Sequence, residues 1–304
     1  MTRLTADLVR NIPDELPRID DRLREGTGMG LRRLASFAVD QADQDNAIGH
    51  LTMASVPIST GRGVIPGFSE AVAAIIEHLG FRSFVTKGHD AAGLMEAVEA
   101  GANIIFLADD HDFIALNLDS KYVVSNVSST ALGYVCALGK ALGGLRNREI
   151  LIIGAGRVGT VTLNILVGAE ARITIVDTDS LIGEIFEKRN PGIRYATDLE
   201  REIRRADAIL NASPARIPAD WVKKRAVISS PGLPYAFDDE CRERAAVIIH
   251  DPLALSTSVM AMWSAVHSIR PGYVPRLMRG RFPDEEFVDV PTGPDLDRSR
   301  SSVQ

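Results

Sequence analysis

Ten residues in the middle of the chain leave few folds open: Ile150-Leu151-Ile152-Ile153-Gly154-Ala155-Gly156-Arg157-Val158-Gly159. The apolar run reads as a buried strand, and G-x-G-x-x-G as the turn that hands it to a helix. Gly154 permits the tight turn, Gly156 lets a pyrophosphate approach the backbone, and Gly159 lets helix pack closely on strand. A dinucleotide's pyrophosphate would rest on the free N–H groups at the positive end of that helix. A glycine triplet by itself is weak evidence, but here the next predicted strand, 172–177, ends on an acid 23 residues beyond Gly154. A carboxylate at Asp177 accepts ribose hydroxyls and repels a 2′-phosphate, which favours NAD over NADP. Ala155 and Val158 complete the loop, and Arg157 either touches phosphate or stands in solvent. Asn211-Ala212-Ser213-Pro214 and Ser230-Pro231-Gly232 fall where the carboxyl edge of such a sheet meets the rest of the cofactor.

The surrounding text alternates strands and helices. Residues 51–58, 81–85 and 102–107 read as strands, separated by helices at 68–79 and 91–100, so a first parallel sheet with helical cover is expected. A long helix at 126–142, started by Ser128-Ser129-Thr130 and stopped by Gly143-Gly144, leads into the second series. There, strands are predicted at 149–153, 172–177, 208–212, 226–230 and 246–250, with helices such as 158–166 and 199–205 between them. The fold class is therefore α/β with two domains. An N-terminal helical segment, broken at Pro13, Pro17 and Gly26-Thr27-Gly28, joins an α/β substrate domain (1–125). A linking helix (126–145), a Rossmann domain (146–252), a return helix (253–270) and a partly disordered tail (271–304) follow.

Composition narrows the function. A net charge of -6 without a basic stripe argues against nucleic acid as partner. Two cysteines cannot form a disulfide framework and suggest a reducing compartment. With no apolar run near the ~18 residues of a membrane span, and no apolar signal-peptide core at the start, the cytoplasm is the expected location and no membrane partner is expected. A homodimer is compatible with the sequence, which does not fix the oligomeric state.

The first domain offers two polar strand ends, Ser59-Thr60-Gly61 and Ala108-Asp109-Asp110-His111. In a parallel sheet both lie at the carboxyl edge, where ligands bind. Asp109 or Asp110 could hold a cationic group or accept its proton, or could be N-caps or solvated loop acids. Consecutive residues such as Asp109-Asp110-His111-Asp112 rarely converge on one ion, so no metal is expected. Cys136, Trp221 and Trp263 read as core.

Several segments resemble one family. Val56-Pro57-Ile58-Ser59-Thr60-Gly61-Arg62-Gly63-Val64-Ile65, then Glu96-Ala97-Val98-Glu99-Ala100-Gly101-Ala102, then Ala108-Asp109-Asp110 with Phe113 and Asn117 are similar to the pyrrolysine-biosynthesis dehydrogenases. Ser230-Pro231-Gly232-Leu233-Pro234 and Asp251-Pro252-Leu253, with Thr257 and Met260, continue the likeness, which runs over about residues 1–266. It departs at Val127-Ser128-Ser129-Thr130 and beyond Ser268. The resemblance implies oxidation, with NAD, of the terminal amine of 3-methylornithyl-N6-lysine, ammonia release and closure to a pyrroline ring. It implies that Asp109 handles the substrate amine, that Thr60 anchors the substrate in place of a serine, and that Leu4 helps cover it. Ile58 and Asn126 join them as expected substrate contacts.

Two other readings share the layout: a different two-domain NAD dehydrogenase, of the opine or methylenetetrahydrofolate type, and a non-enzymatic sensor of the NADH/NAD ratio. The first would need different first-domain motifs. The second would need a DNA-binding segment, which this composition does not supply.

Overall fold

The computed structural model describes residues 4–41, 47–190 and 192–279. Three helices open it, α1 (Ala6–Val9), α2 (Ile12–Thr27) and α3 (Leu31–Ala38). Ile12, Leu16, Ile19, Leu23 and Thr27 recur every three or four residues along α2, and all five are buried. Pro13 sits in the first turn, where its missing N–H costs nothing, and Pro17 is carried inside the helix instead of breaking it.

The first sheet contains β1 (Thr52–Val56), β2 (Arg82–Val85) and β3 (Ile104–Ala108), with α4 (Phe68–His78) and α5 (Asp90–Glu99) on the crossovers. These three strands are parallel, as expected. The sheet then continues with β4 (Phe113–Asn117) and β5 (Tyr122–Ser125), which run antiparallel. Its order is β2-β1-β3-β4-β5. The reversal comes at 109–112, where the Asp109 carboxylate accepts the amides of its own turn, and β4 then alternates buried and half-buried residues.

Helix α6 (Asn126–Ala141) starts directly after β5. Its cap is Ser125, whose Oγ accepts from the Ser128 N–H, so the Ser128-Ser129-Thr130 cluster lies within the first turns and not at the cap. The second sheet follows, with strands β6 (Glu149–Ile153), β7 (Arg172–Val176), β8 (Ile193–Ala196), β9 (Ala208–Asn211), β10 (Val227–Ser229) and β11 (Val247–Ile249). Helices α7 (Arg157–Gly168), α8 (Ser180–Arg189), α9 (Leu199–Arg205) and α10 (Asp239–Arg244) lie between them. All six strands are parallel, in the order β8-β7-β6-β9-β10-β11. This is the doubly wound Rossmann order, which reverses direction between β6 and β9 and opens a crevice there.

Helix α11 (Ala254–Ile269) runs back from the second sheet and packs on α6, α3 and α4. Every residue from Ala254 to His267 is buried, the polar Ser256, Thr257, Ser258, Ser264 and His267 among them. After it, Asp40 accepts from the Arg276 N–H and Nε, both at 2.7 Å, which ties residues 273–276 to the end of α3. The expected disorder of the last dozen residues falls outside the described residues. No helix among the described residues is long and apolar enough to cross a membrane.

Candidate active site

A cleft of about 530 Å³ opens where the carboxyl edges of the two sheets meet. One wall comes from the second sheet: Gly156, Arg157 and Val158 at the start of α7, Ala212-Ser213-Pro214 after β9, Pro231-Gly232-Leu233 after β10, and Asp251-Pro252-Leu253 after β11. The other comes from the first sheet: Ala108, Asp109, Asp110, Asp112 and Phe113, with Ile65 and Phe68 of the preceding loop and helix. Leu4 covers part of it, and Asn126, Thr130 and Tyr134 of α6 form the floor.

The predicted cofactor residues act in two groups. Gly156, Arg157, Val158, Ala212, Ser213, Pro214 and Pro231 face the cleft. Gly154, Ala155, Gly159 and Asp177 build the loop behind it. A Cβ at Gly159 would lie 1.9 Å from the Gly154 carbonyl oxygen, so only glycine lets α7 sit this close to the turn. A Cβ at Gly156 would meet nothing within 4 Å, and no side chain caps the start of α7. The first amides of that helix therefore face open space, the arrangement an anion needs. Asp177 stands at the mouth of β7 with Oδ2 accepting from the Ala155 N–H (2.5 Å) and Oδ1 from the Asp179 N–H (2.8 Å). The following residues, Thr178 and Asp179, add no cation that would welcome a 2′-phosphate.

Arg157 neither points freely into solvent nor waits for phosphate alone. Its guanidinium reaches across the cleft, donating Nη1 to the His111 carbonyl (2.9 Å) and pairing through Nη2 with Asp112. The glycine loop of one sheet is thus strapped to the 109–112 turn of the other.

On that turn, Asp109 Oδ1 accepts from the N–H groups of His111 (2.7 Å) and Asp112 (2.8 Å), and Oδ2 has no hydrogen-bond partner among the described residues. The Asp112 amide first, and then that of His111, hold the Asp109 carboxyl below the usual carboxylate range. It is a fixed anion with one oxygen left for a ligand. Asp110 is used differently: its Oδ2 accepts from the Arg62 N–H (2.8 Å), joining this turn to the glycine-rich loop after β1. Thr60 and Ile58 line a smaller pocket of about 50 Å³, which shares Ile65, Phe68, Ala108, Asp109 and Asp110 with the main cleft. Asp109 thus stands at the junction of the two spaces. Asn126 faces the main cleft, and its Oδ1 is buried without a partner among the described residues.

Asn117 is structural, its Nδ2 donating to the Ser264 carbonyl (2.8 Å) and its Oδ1 accepting from the Ser120 N–H (2.9 Å). Burial pushes the Cys136 thiol up to about 12, which suits a core residue and not a nucleophile. No group of three or more His, Cys, Asp or Glu among the described residues is placed to hold a metal ion. Sequence reasoning passed over Thr130, Tyr134 and Asp251 as site residues. The first two sit on a helix that reads as a linker, and the four-residue spacing of Asn126, Thr130 and Tyr134 is the signal that puts them on one face.

Residues 8–124 match the family described as pyrrolysine biosynthesis protein PylD, N-terminal domain. Two curated relatives, both called pyrrolysine synthase, align over 263 residues, 86% of this chain. The protein of Methanosarcina barkeri is 29% identical with 97% of its length covered, and that of Methanosarcina acetivorans 30% identical with 98% covered. Among solved structures, a shikimate dehydrogenase from Aquifex aeolicus shares 12% identity at a TM-score of 0.48, with 76% of this chain and 96% of that one covered. The near-complete coverage of both pyrrolysine synthases, across both sheets and the cleft between them, makes this chain a member of the pyrrolysine synthase family.

Proposed function

We propose that this protein oxidises the terminal amine of 3-methylornithyl-N6-lysine with NAD, with release of ammonia and closure of the pyrroline ring, as the last step of pyrrolysine biosynthesis. One observation carries the reading: a glycine-rich dinucleotide-type loop and a carboxylate with one unshared oxygen, supplied by different sheets, line one cleft. The family membership makes pyrrolysine formation the context in which that pairing is to be used.

NAD, when bound, supplies a two-electron acceptor for the hydrogen on the carbon bearing the amine. Gly154, Ala155, Gly156, Arg157, Val158 and Gly159 would hold its pyrophosphate, and Asp177 the adenosine ribose. Ala212, Ser213, Pro214 and Pro231 would hold the rest along the sheet edge. Asp109 Oδ2 would take the substrate ammonium by a charge-assisted hydrogen bond. Thr60 and Ile58, in the adjoining pocket, and Asn126, with its unused Oδ1, would position the remainder, and Leu4 would close over it. An amine with a pKa near ~10.4 is protonated at neutral pH and gives up its neighbouring hydrogen only after losing a proton. Once the carbon is oxidised, attack by the second amino group of the same molecule is intramolecular, and high effective concentration favours the ring.

The test is direct. Purified protein incubated with NAD and 3-methylornithyl-N6-lysine should produce NADH, ammonia and a product of the pyrroline mass. No NADH and no ammonia under conditions where NAD binds would refute the assignment. Asp109→Asn should leave NAD affinity nearly intact and cut turnover; equal turnover would remove Asp109 from the reaction.

A further inference from the structure

Oxidising an ammonium requires somewhere for its proton to go, and the cleft holds two suitable carboxylates, one on each side. Asp109 is the poorer acceptor. Two backbone amides already satisfy its charge, so it binds a cation well and takes a proton reluctantly.

Asp251 has the same two-amide anchor on one oxygen, but it is half-buried where Asp109 is exposed. It stands just past β11, on the wall where a Rossmann sheet receives the reactive half of its cofactor. Its Oδ1 accepts from the N–H groups of Leu253 (2.9 Å) and Leu255 (3.1 Å), which fixes the carboxyl at the start of α11. Its Oδ2 has one contact among the described residues, the Tyr134 hydroxyl at 3.4 Å, and that hydroxyl sits nearer the Asp251 carbonyl, at 2.7 Å. One oxygen is therefore anchored and the other is sparsely bonded, in a carboxyl that lines the cleft.

We propose that Asp251 is the proton acceptor for the substrate ammonium, while Asp109 is the anion that holds it. This division of labour rests on the amine-oxidation reading above. In the step, an N–H bond of the ammonium breaks, the proton passes to Asp251 Oδ2, and the electron pair stays on nitrogen. The products are a neutral amine and a carboxylic acid, which returns its proton to solvent before the next turnover.

The surroundings support this direction of transfer. Burial pushes the Asp251 carboxyl up, toward the pH at which an acceptor works best, while Asp109 is held down. Tyr134, facing Asp251 from α6, is pushed well above its ordinary value by burial and keeps its proton. His250, the preceding residue, is lowered by burial, and its Nδ1 lies 2.7 Å from the Ser230 carbonyl, so the ring is neutral and donates there. Arg242 of α10 and Arg22 of α2 also lower His250, and neither is among the groups that shift Asp251.

Asp251→Asn keeps the Oδ1 acceptor for Leu253 and Leu255, so the start of α11 should survive, and unchanged melting and NAD affinity would show it. Turnover at neutral pH should fall about 100-fold or more and recover as pH approaches the amine's own pKa. KM should move less than about threefold. Asp251→Glu, which restores a carboxylate, should regain activity and an acid-side limb in its pH profile. In cofactor-free protein labelled with 13C at Asp carboxyls, the resonance missing from Asp251→Asn should titrate above the one missing from Asp109→Asn. Wild-type turnover with an unchanged pH profile in Asp251→Asn, or an Asp251 carboxyl titrating at or below Asp109, overturns the assignment of Asp251 alone. A wild-type protein that binds NAD but makes no NADH from the amine overturns the underlying reaction, and the proton transfer with it.

Discussion

Alanine at Gly156 and alanine at Gly159 should fail in different ways, and the difference reports on the cofactor. A Cβ at Gly156 meets no protein atom within 4 Å, and the backbone there (φ -64°, ψ -169°) suits any residue. The fold should lose no more than about 0.5 kcal/mol. The methyl group instead fills the space a pyrophosphate needs, so NAD affinity should fall by about tenfold or more, roughly 1.4 kcal/mol. At Gly159 the new Cβ would lie 1.9 Å from the Gly154 carbonyl oxygen and 2.9 Å from its carbon. Both are backbone atoms, so α7 must back away until 1.9 Å has become at least 3.0 Å. That helix anchors Thr162, Leu163, Ile165 and Leu166 in the core. Overpacking of this kind costs about 1–3 kcal/mol, or roughly 2–12 °C in Tm. Thermal melts and calorimetric NAD titrations of both variants decide the matter. If Gly156→Ala binds NAD like the wild type, the pyrophosphate does not lie on this loop and the cofactor assignment fails. If Gly159→Ala melts like the wild type, the close approach of helix to turn is wrong.

Asp177→Ala should weaken NAD and narrow its advantage over NADP; an unchanged preference in parallel titrations would contradict the ribose role. Asp112→Ala removes the Asp112 half of the strap to Arg157, whose side chain is 50% exposed against 53% for Asp112, so the loss of stability should stay within about 1 kcal/mol. KM for the amine should nevertheless rise as the Asp109 turn loses its tether, and an unmoved KM would show that the strap positions nothing. His267 is buried on α11, stacked on Tyr122 at 3.6 Å between ring centroids, with neither ring nitrogen hydrogen-bonded among the described residues. Burial pushes its pKa down from 6.5 to about 4, so the unfolded chain takes up the proton first. Its neutral form supports the fold fully above about pH 6.5, and that support is lost as pH falls toward about 4. His267→Phe should flatten this part of the Tm–pH curve, and an unaltered acid slope would refute the account.

The glycine-loop wall of the cleft was legible because its grammar is local. Strand, glycine turn, helix and acid occupy residues 149–177 in one run, and each position follows from a steric or electrostatic need that neighbours in sequence already state. The first-sheet wall was only half legible. Asp109 was singled out, but the reason its carboxyl is held low and only half-used is the 109–112 hairpin. That hairpin appears only when β4 turns back antiparallel on β3. Arg157 illustrates the same limit: its partners are His111 and Asp112, more than forty residues upstream. Asp251 reads in sequence as an ordinary acid after a strand, and its environment is made by Tyr134 of α6 and the first turn of α11, which no local pattern announces.

A cleft built between two sheets functions only if something fixes its width, and here two buried helices do so. Helix α6 begins at the cleft with Asn126, Thr130 and Tyr134, and α11 begins there with Asp251 just before it and Ser256 inside it. The two helices pack together at Gly133, where a Cβ would already stand 3.0 Å from Val259 and 3.3 Å from Leu255. Close packing of this kind resists continuous deformation. The Tyr134 hydroxyl binds the backbone of Asp251 from one helix to the start of the other, and the Ser229 hydroxyl donates to the Tyr134 carbonyl from β10. The floor is therefore the stiff part of the site, and through Tyr134 it is bonded to the Asp251 end of the wall above it. The walls above it are joined across the mouth by the exposed Arg157–Asp112 pair, which contributes little stability and can yield when a pyrophosphate offers Arg157 a second anion. Rigid below and loosely strapped above, the cleft has the build that the proposed reaction asks of it, with a floor that keeps its shape and a mouth that can open.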